Sequence, residues 1–176
     1  MFYKLSLYFV SASLLLFALA ATSDMRGHAS QRCPPLCDIK ITKSDDTTNG
    51  NHPDNAIYGG LKVSLGIALK TTGDNEGIET TGDKITITVS EAGSIETTGK
   101  SADGIINLGS DNETTVSGSI TTAGLGGLGI YNEGSDNKTD LSGSITTAGK
   151  AAHGIYNIGD KNEATVSGSI KTAEVI

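Results

Sequence analysis

Residues 93–117 read GSIETTGKSADGIINLGSDNETTVS, residues 118–142 read GSITTAGLGGLGIYNEGSDNKTDLS, and residues 143–167 read GSITTAGKAAHGIYNIGDKNEATVS. A fourth copy begins at 168–176 with GSIKTAEVI. The copies follow one another every 25 residues without an insertion. A fixed period of this length is typical of proteins built from stacked, similar units.

Within each copy, Ile, Val and Leu alternate with small polar residues, and Gly-rich clusters separate the alternating runs. Alternation with period two indicates half-buried β-strands. Three strands are predicted per copy, at 144–147, 154–157 and 164–167 in the third one. Gly149, Lys150 and the run 159–162 supply the turns. This organisation predicts an all-β fold, a right-handed parallel β-helix whose rungs lie roughly 4.8 Å apart.

In a β-helix each residue lies above its copy one period away, so the repeats predict columns of equivalent side chains. The expected interior columns are Ile95, Ile120, Ile145 and Ile170; Ile105, Ile130 and Ile155; and Val116, Leu141 and Val166. For a single rung, the entropic cost of ordering the chain exceeds the free energy gained by burying its apolar side chains. Only stacking of several rungs therefore stabilises the unit.

A polar column is formed by Asn107, Asn132 and Asn157, just past the second strand of each copy. One interpretation is a ligand-facing row of amides. The other is an internal ladder in which each amide bonds to the next rung, and stacked Asn is a known device of such structures. The ladder is favoured.

The N-terminal third of the chain is organised differently. Residues 1–20 are predicted to be a signal peptide, because Lys4 precedes a largely apolar run that ends in a small-x-small cleavage pattern. Residues 21–55 are a polar, flexible leader with Cys33 and Cys37, for which a local disulfide is expected in an exported chain. Residues 56–92 are an irregular N-terminal cap and first rung, shifted by one or two residues against the regular repeats at 93–176. The incomplete last copy suggests a stack that continues elsewhere or a truncated reading frame.

Charge and composition argue against several classes of function. The net charge is −7, and no basic patch with interleaved aromatic residues is found, so nucleic acid and anionic membranes are poor candidate partners. Acidic residues lie mostly in turns, Arg is absent after Arg32, and His153 stands alone, so no catalytic site is predicted. Calcium bound by the turns at 109–112, 134–137 and 159–162 is a weaker alternative to ordinary Asx turns. We therefore predict no cofactor and no metal site.

An aromatic strip is the one candidate binding feature. Tyr131 and Tyr156, with Ile106 in the same column, alternate with the inward Ile column and are expected to point outward. Such a strip suits adhesion to sugars or proteins. The alternative is that a covering segment packs over it.

The repeats resemble those of bacterial autotransporter passenger domains and related right-handed β-helix adhesins. The resemblance rests on GSITT at 118–122 and 143–147, GIYN at 129–132 and 154–157, and VSGSI at 166–170, and it covers 69–176. It implies export, passage through the outer membrane by way of a C-terminal β-barrel, and display or release at the cell surface. No such barrel is found in this sequence, so a truncated passenger fragment is expected.

The expected function is therefore that of a non-enzymatic, secreted or cell-surface adhesin that binds an unidentified protein or glycan, with a role in virulence. The chain would be periplasmic if it is truncated. Two alternatives stay open: a carbohydrate-active β-helix enzyme of the polysaccharide lyase or hydrolase type, and a non-functional remnant of a longer autotransporter.

Overall fold

The computed structural model describes the backbone of residues 31–32, 38–41 and 57–58 and the complete residues 62–173. Within these residues seventeen strands form three parallel sheets, and no helix is present. Sheet 1 contains β1 (Gln31–Arg32), β3 (Ile57–Tyr58), β6 (Ile78–Thr81), β9 (Ile105–Leu108), β12 (Ile130–Glu133) and β15 (Ile155–Ile158). Sheet 2 contains β2 (Asp38–Ile41), β4 (Lys62–Leu65), β7 (Thr86–Val89), β10 (Glu113–Val116), β13 (Lys138–Leu141) and β16 (Glu163–Val166). Sheet 3 contains β5 (Ala68–Thr71), β8 (Ser94–Thr97), β11 (Ser119–Thr122), β14 (Ser144–Thr147) and β17 (Ser169–Thr172).

From β3 onward, the chain passes through sheets 1, 2 and 3 in turn and then returns to sheet 1 one coil further along the axis. Every strand pairs in parallel with its equivalent in the next coil, and Ile120 lies between Ile95 and Ile145 in the register of sheet 3. The predicted parallel β-helix with coils of about 25 residues is confirmed. The second and third strands of each regular coil begin one residue away from the predicted positions, at Ile155 and Glu163 in the last coil.

The coil before the regular repeats contains one or two extra residues, and its strands still pair in parallel with those of the next coil. Leu69 pairs with Ile95 and Ile78 with Ile105, which are separations of 26 and 27 residues. The parallel pairing also continues towards the N-terminus, since β4 pairs with both β7 and β2. Strand β4 thus belongs to the stack, and β1 and β2 lie within the segment that was predicted as a leader. The predicted signal peptide at 1–20 and the pair Cys33 and Cys37 lie outside the described residues.

The core is the narrow interior of the coil, to which each strand of the regular coils contributes one aliphatic and one polar inward side chain in the fully buried part. The buried hydrophobic residues of the core cluster are Val63, Leu65, Leu69, Ile78, Ile85, Ile87, Val89, Ile95, Ile105, Val116, Ile120, Ile130, Leu141 and Ile145. Towards the last described coil the interior opens, and Val166 and Ile170 are 46% and 40% exposed. Burial of each aliphatic side chain contributes roughly 1.5–3 kcal/mol, so the central coils carry most of the stability.

Close packing and hydrogen bonds in the corner between sheets 3 and 1 shape the coil. Gly104 and Gly129 lie at the entry to sheet 1, where a Cβ would overlap the Cγ2 atoms of Ile120 and Ile145 respectively. At the exit from sheet 3 the buried threonines hold the corner, because Thr97 Oγ1 and Thr122 Oγ1 donate to main-chain carbonyls five residues ahead (2.7 and 2.9 Å). The cross-section of the coil is therefore set by hydrogen bonds and by close backbone contact.

Candidate binding face on sheet 1

The predicted Asn column lies on the interior side of sheet 1 and forms a ladder of amide hydrogen bonds. Asn107 Nδ2 donates to Asn132 Oδ1 (2.6 Å), and Asn132 Nδ2 donates to Asn157 Oδ1 (2.8 Å). Asn107 and Asn132 are each 1% exposed. In the preceding coil Thr80 stands in this column and donates to Asn107 Oδ1 (3.0 Å). These amides bond to one another inside the coil, so the column does not form an external ligand site.

A second Asn column, which the sequence analysis assigned to ordinary turns, lies at the corner between sheets 1 and 2. Asn112 and Asn137 are 2% and 1% exposed. The main-chain N–H of Asn112 donates to Asn137 Oδ1, and that of Asn137 donates to Asn162 Oδ1 (both 2.9 Å). The left-handed backbone of this corner is taken by the residue before each Asn, such as Asp111 (φ 59°). The repetition of Asn at this position was the signal for a buried ladder.

The outer faces of the three sheets differ in chemistry. Sheet 3 presents small polar residues and a few charges, at Ala68, Lys70, Ser94, Glu96, Ser119, Thr121, Ser144, Thr146, Ser169 and Lys171. Sheet 2 presents polar residues of both charge signs, at Lys62, Ser64, Thr86, Thr88, Glu113, Thr115, Lys138, Asp140, Glu163 and Thr165. The sheet 1 face, as we name the outward residues of β6, β9, β12 and β15, consists of Glu79, Thr81, Ile106, Leu108, Tyr131, Glu133, Tyr156 and Ile158. Of these three faces, that of sheet 1 carries large apolar and aromatic side chains.

The sheet 1 face has two columns, of which the sequence analysis found the first. Glu79, Ile106, Tyr131 and Tyr156 are in register along the axis, as expected for the aromatic strip. The second column contains Leu108, Glu133 and Ile158, and Ile158 is 44% exposed. Alternation along each strand already places these residues outward, so the same period-two reasoning could have found them.

The rings on this face form a continuous stack. The centroids of Tyr131 and Tyr156 are 6.0 Å apart with an interplanar angle of 14°. His153, from the corner before β15, extends the stack, with its ring centroid 5.5 Å from that of Tyr156. Tyr156 is 43% exposed. Within the described part of the chain, this ring is therefore partly exposed to solvent.

Tyr131 is held in place by its neighbour on the same strand. Its hydroxyl donates to Glu133 Oε2 (2.8 Å), which lies two residues along β12 on the same outer face. This hydrogen bond, together with partial burial and the negative charge of the carboxylate, raises the pKa of Tyr131 to about 12. The ring is therefore pre-organised, and ordering it on binding costs little entropy.

Carboxyl groups gather along the edge of the face at the corner that precedes it. Asp103 is 7% exposed, and its Oδ1 accepts a hydrogen bond from the main-chain N–H of Leu128 (2.6 Å). Burial raises the pKa of Asp103 to about 6, the bond from Leu128 opposes that rise, and Glu76, at the equivalent position one coil earlier, adds to it. Burial also raises the pKa values of Glu76 and Glu79, and in Glu79 the charge of Glu76 contributes. The sequence analysis placed acidic residues mostly in turns and did not predict this group of carboxyl groups, which forms because successive coils stack.

The Asp103 carboxyl makes stability depend on pH. Its pKa in the folded chain lies above its ordinary value of 3.8, so the folded state binds this proton more tightly than the unfolded state does. The resulting stabilisation is fully present below about pH 4 and is lost as the pH rises through about 6. We expect the free energy of unfolding to be greater at about pH 5 than at about pH 7.5, by on the order of 1–2 kcal/mol after allowance for solvent screening. Urea unfolding at both pH values measures the difference.

Asp103→Asn is expected to show a smaller pH dependence than the unchanged protein, with Glu76 and Glu79 responsible for the remainder. The matched control is Asp140→Asn, which removes an exposed carboxyl from the outer face of sheet 2. Equal pH dependence in Asp103→Asn and Asp140→Asn would contradict the assignment to Asp103.

Within residues 62–173, no group of three or more His, Cys, Asp or Glu side chains is arranged to hold a metal ion. A search of the described part of the chain found no helix that is long and apolar enough to span a membrane. Comparisons with protein-family models, with curated proteins and with solved structures returned no match to this chain. The described part of the chain is a parallel β-helix in which the outer face of sheet 1 is apolar and aromatic.

Proposed function

We propose that the protein is an exported β-helix scaffold of the adhesin type, which holds the sheet 1 face towards a ligand on another surface. The observation that carries this proposal is the difference among the three outer faces. Sheets 2 and 3 present hydroxyl and charged side chains to water, while sheet 1 presents two tyrosines and three aliphatic residues. Contiguous exposed apolar side chains on a soluble surface mark interaction sites.

The scaffold suits this role because its face is rigid. Each strand of the sheet 1 face is paired on both sides in the central coils, and the amide ladder lies directly beneath it. The resemblance of the repeats to autotransporter passengers supports display at the cell surface or release into the medium. Export through the predicted signal peptide belongs to the same proposal.

A carbohydrate-active enzyme is a second candidate, favoured by the stacking of Glu76 and Asp103. Glycoside cleavage needs two carboxyl groups, one of which is kept protonated near neutral pH by its surroundings. A raised pKa at Asp103 fits the acid. Its burial and its bond to Leu128 favour a structural role instead. Cleavage of neutral or acidic polysaccharides that is lost in Asp103→Asn would establish the enzyme, and absence of cleavage by the unchanged protein would remove it.

The binding proposal is tested with the double variant Tyr131→Ala/Tyr156→Ala. We expect it to reduce retention of protein-coated beads on basement-membrane extract or on a mucin layer by at least about tenfold, since aromatic residues at the centre of an interface commonly contribute 2 kcal/mol or more. Bead counts after washing under constant flow give the measurement. Circular dichroism verifies that the variant keeps its β-structure.

The matched control is Thr121→Ala/Thr146→Ala, which truncates two outward residues in register on the neighbouring sheet 3 of the same coils. This control should retain full binding. If the tyrosine variant binds as well as the control on both layers, or if neither layer retains the unchanged protein, the proposal is wrong.

A further inference from the structure

We propose that the ligand of the sheet 1 face is a cationic polypeptide segment, one that presents Lys or Arg side chains together with aliphatic ones. This inference rests on the proposed function and deepens it, by naming the chemical class of the partner. It follows from the charges on and around the face, from the arrangement of ring and carboxylate, and from the lack of features that a glycan-binding site needs.

The first argument is charge. The sheet 1 face contains two glutamates, Glu79 and Glu133, and none of its eight residues is Lys or Arg. Glu76 and Asp103 border it at the preceding corner, and at the following corner four aspartates accompany two lysines: Asp83, Lys84, Asp111, Asp136, Asp160 and Lys161. Lys100 and Lys150 lie further back, towards sheet 3, as does Asp74. The face and its immediate borders therefore have an excess of negative charge.

The negative charges on and beside the face also act on one another. Burial raises the pKa values of Glu79 and Asp103, and the charge of Glu76 raises both further, so these carboxyl groups repel one another. A cation placed on the sheet 1 face would relieve the repulsion. Charge complementarity of this kind selects partners and speeds association more than it adds raw affinity.

The second argument is the arrangement of rings and carboxylate. Tyr131 and Glu133 are joined by a hydrogen bond, so an aromatic ring and a carboxylate form one fixed unit on the surface. A guanidinium group can lie against a tyrosine ring and bond to a carboxylate at the same time. Ile106, Leu108 and Ile158 surround this unit and suit the aliphatic stems of Arg and Lys or neighbouring apolar side chains.

The third argument disfavours a glycan. Sugars are commonly bound by several free polar groups placed around an aromatic ring. The hydroxyl of Tyr131 is already bonded to Glu133. The second column is mainly aliphatic, and acidic sugars would be repelled by the glutamates. A protein partner fits these features better.

The test uses an octapeptide of alternating Arg and Leu, with blocked ends, as the probe. A peptide of alternating Gln and Leu is the neutral control, and a neutral and an acidic oligosaccharide represent glycans. We expect the Arg–Leu peptide to bind the purified protein at least about tenfold more tightly than the Gln–Leu peptide, as measured by fluorescence anisotropy. Its affinity should fall as salt concentration rises.

The variant that decides the matter is Glu79→Gln/Glu133→Gln, which keeps side-chain shape and an acceptor for the Tyr131 hydroxyl. It should weaken binding of the Arg–Leu peptide by about tenfold or more, whereas Glu113→Gln/Glu163→Gln, which removes two exposed charges from sheet 2, should weaken it less than twofold. Equal affinities in the two variants, or preferential binding of an oligosaccharide, would overturn the inference. If the tyrosine variant still loses bead retention in that case, the proposed function stands; if retention is also unchanged, both fail.

Discussion

Replacement of Gly124 by alanine is expected to lower the free energy of unfolding by at least about 3 kcal/mol, or to prevent folding of the β-helix. Gly124 is buried at the exit from sheet 3, and a Cβ there would overlap the carbonyl group of Gly99 in the preceding coil. The neighbour cannot give way easily, because a Cβ on Gly99 would in turn meet Gly73 and one on Gly149 would meet Gly124. The methyl group would therefore force apart coils that hydrogen bonds hold roughly 4.8 Å apart.

Gly126→Ala is the matched control for this substitution, only two residues away in the same corner. Gly126 has φ +73°, but a Cβ there would meet nothing closer than Ser101 Oγ at 3.5 Å. Alanine at 126 therefore introduces backbone strain without a collision, and about 1 kcal/mol is expected. Urea unfolding followed by circular dichroism compares the two. A loss in Gly126→Ala equal to or larger than that in Gly124→Ala would show that close approach of the coils is not the constraint.

Asn132→Ala is expected to be the most costly polar substitution, at about 3 kcal/mol or more. Asn132 accepts from Asn107 Nδ2 and donates to Asn157 Oδ1 and to Thr139 Oγ1 (3.2 Å). Alanine removes all three bonds at a position that is 1% exposed, so water cannot replace them without entering the coil. Unsatisfied buried groups lose their full hydration energy, which is why the cost exceeds that of an average hydrogen bond.

The same substitution at the exposed end of the column, Asn157→Ala, provides the control. Asn157 lies in the last described coil and is exposed, so water can take over the bond that it loses, and about 1 kcal/mol or less is expected. Asn132→Thr, which copies the arrangement at Thr80, should fall between the two. Denaturant midpoints for the three variants provide the measurement, and equal losses at 132 and 157 would contradict a ladder that depends on burial.

Several features of the fold could be predicted because equivalent residues of successive repeats contact one another in the coil. Residues that are 25 positions apart in the sequence are nearest neighbours along the axis. The recurrence of Ile at 95, 120 and 145 therefore predicts the register of sheet 3. The shift in the preceding coil was also readable, since its matches to the regular repeats fall at offsets that the pairing reproduces. The short strands β1 and β2 carried no such signal, because a few residues in a polar segment do not establish a pattern.

The corners were harder to interpret than the strands. Along a strand, the alternation of apolar and polar residues indicates which side chains point inward. A corner has no such alternation, so a buried Asn cannot be distinguished from an exposed Asn in the sequence. Asn112 and Asn137 were therefore assigned to ordinary turns although they are buried and bond between coils. For the same reason the proximity of Asp103 to Glu76 became visible only once the coils were stacked.

Sequence by itself determined the strands, the period of the coil and the columns of Ile and Asn, because these depend on alternation and repetition along the chain. Alternation also indicated the aromatic strip on sheet 1. Tertiary structure decided which corner residues are buried and how the acids gather beside sheet 1. These properties depend on distances between coils and on the direction of side chains at the bends, which a one-dimensional pattern does not contain.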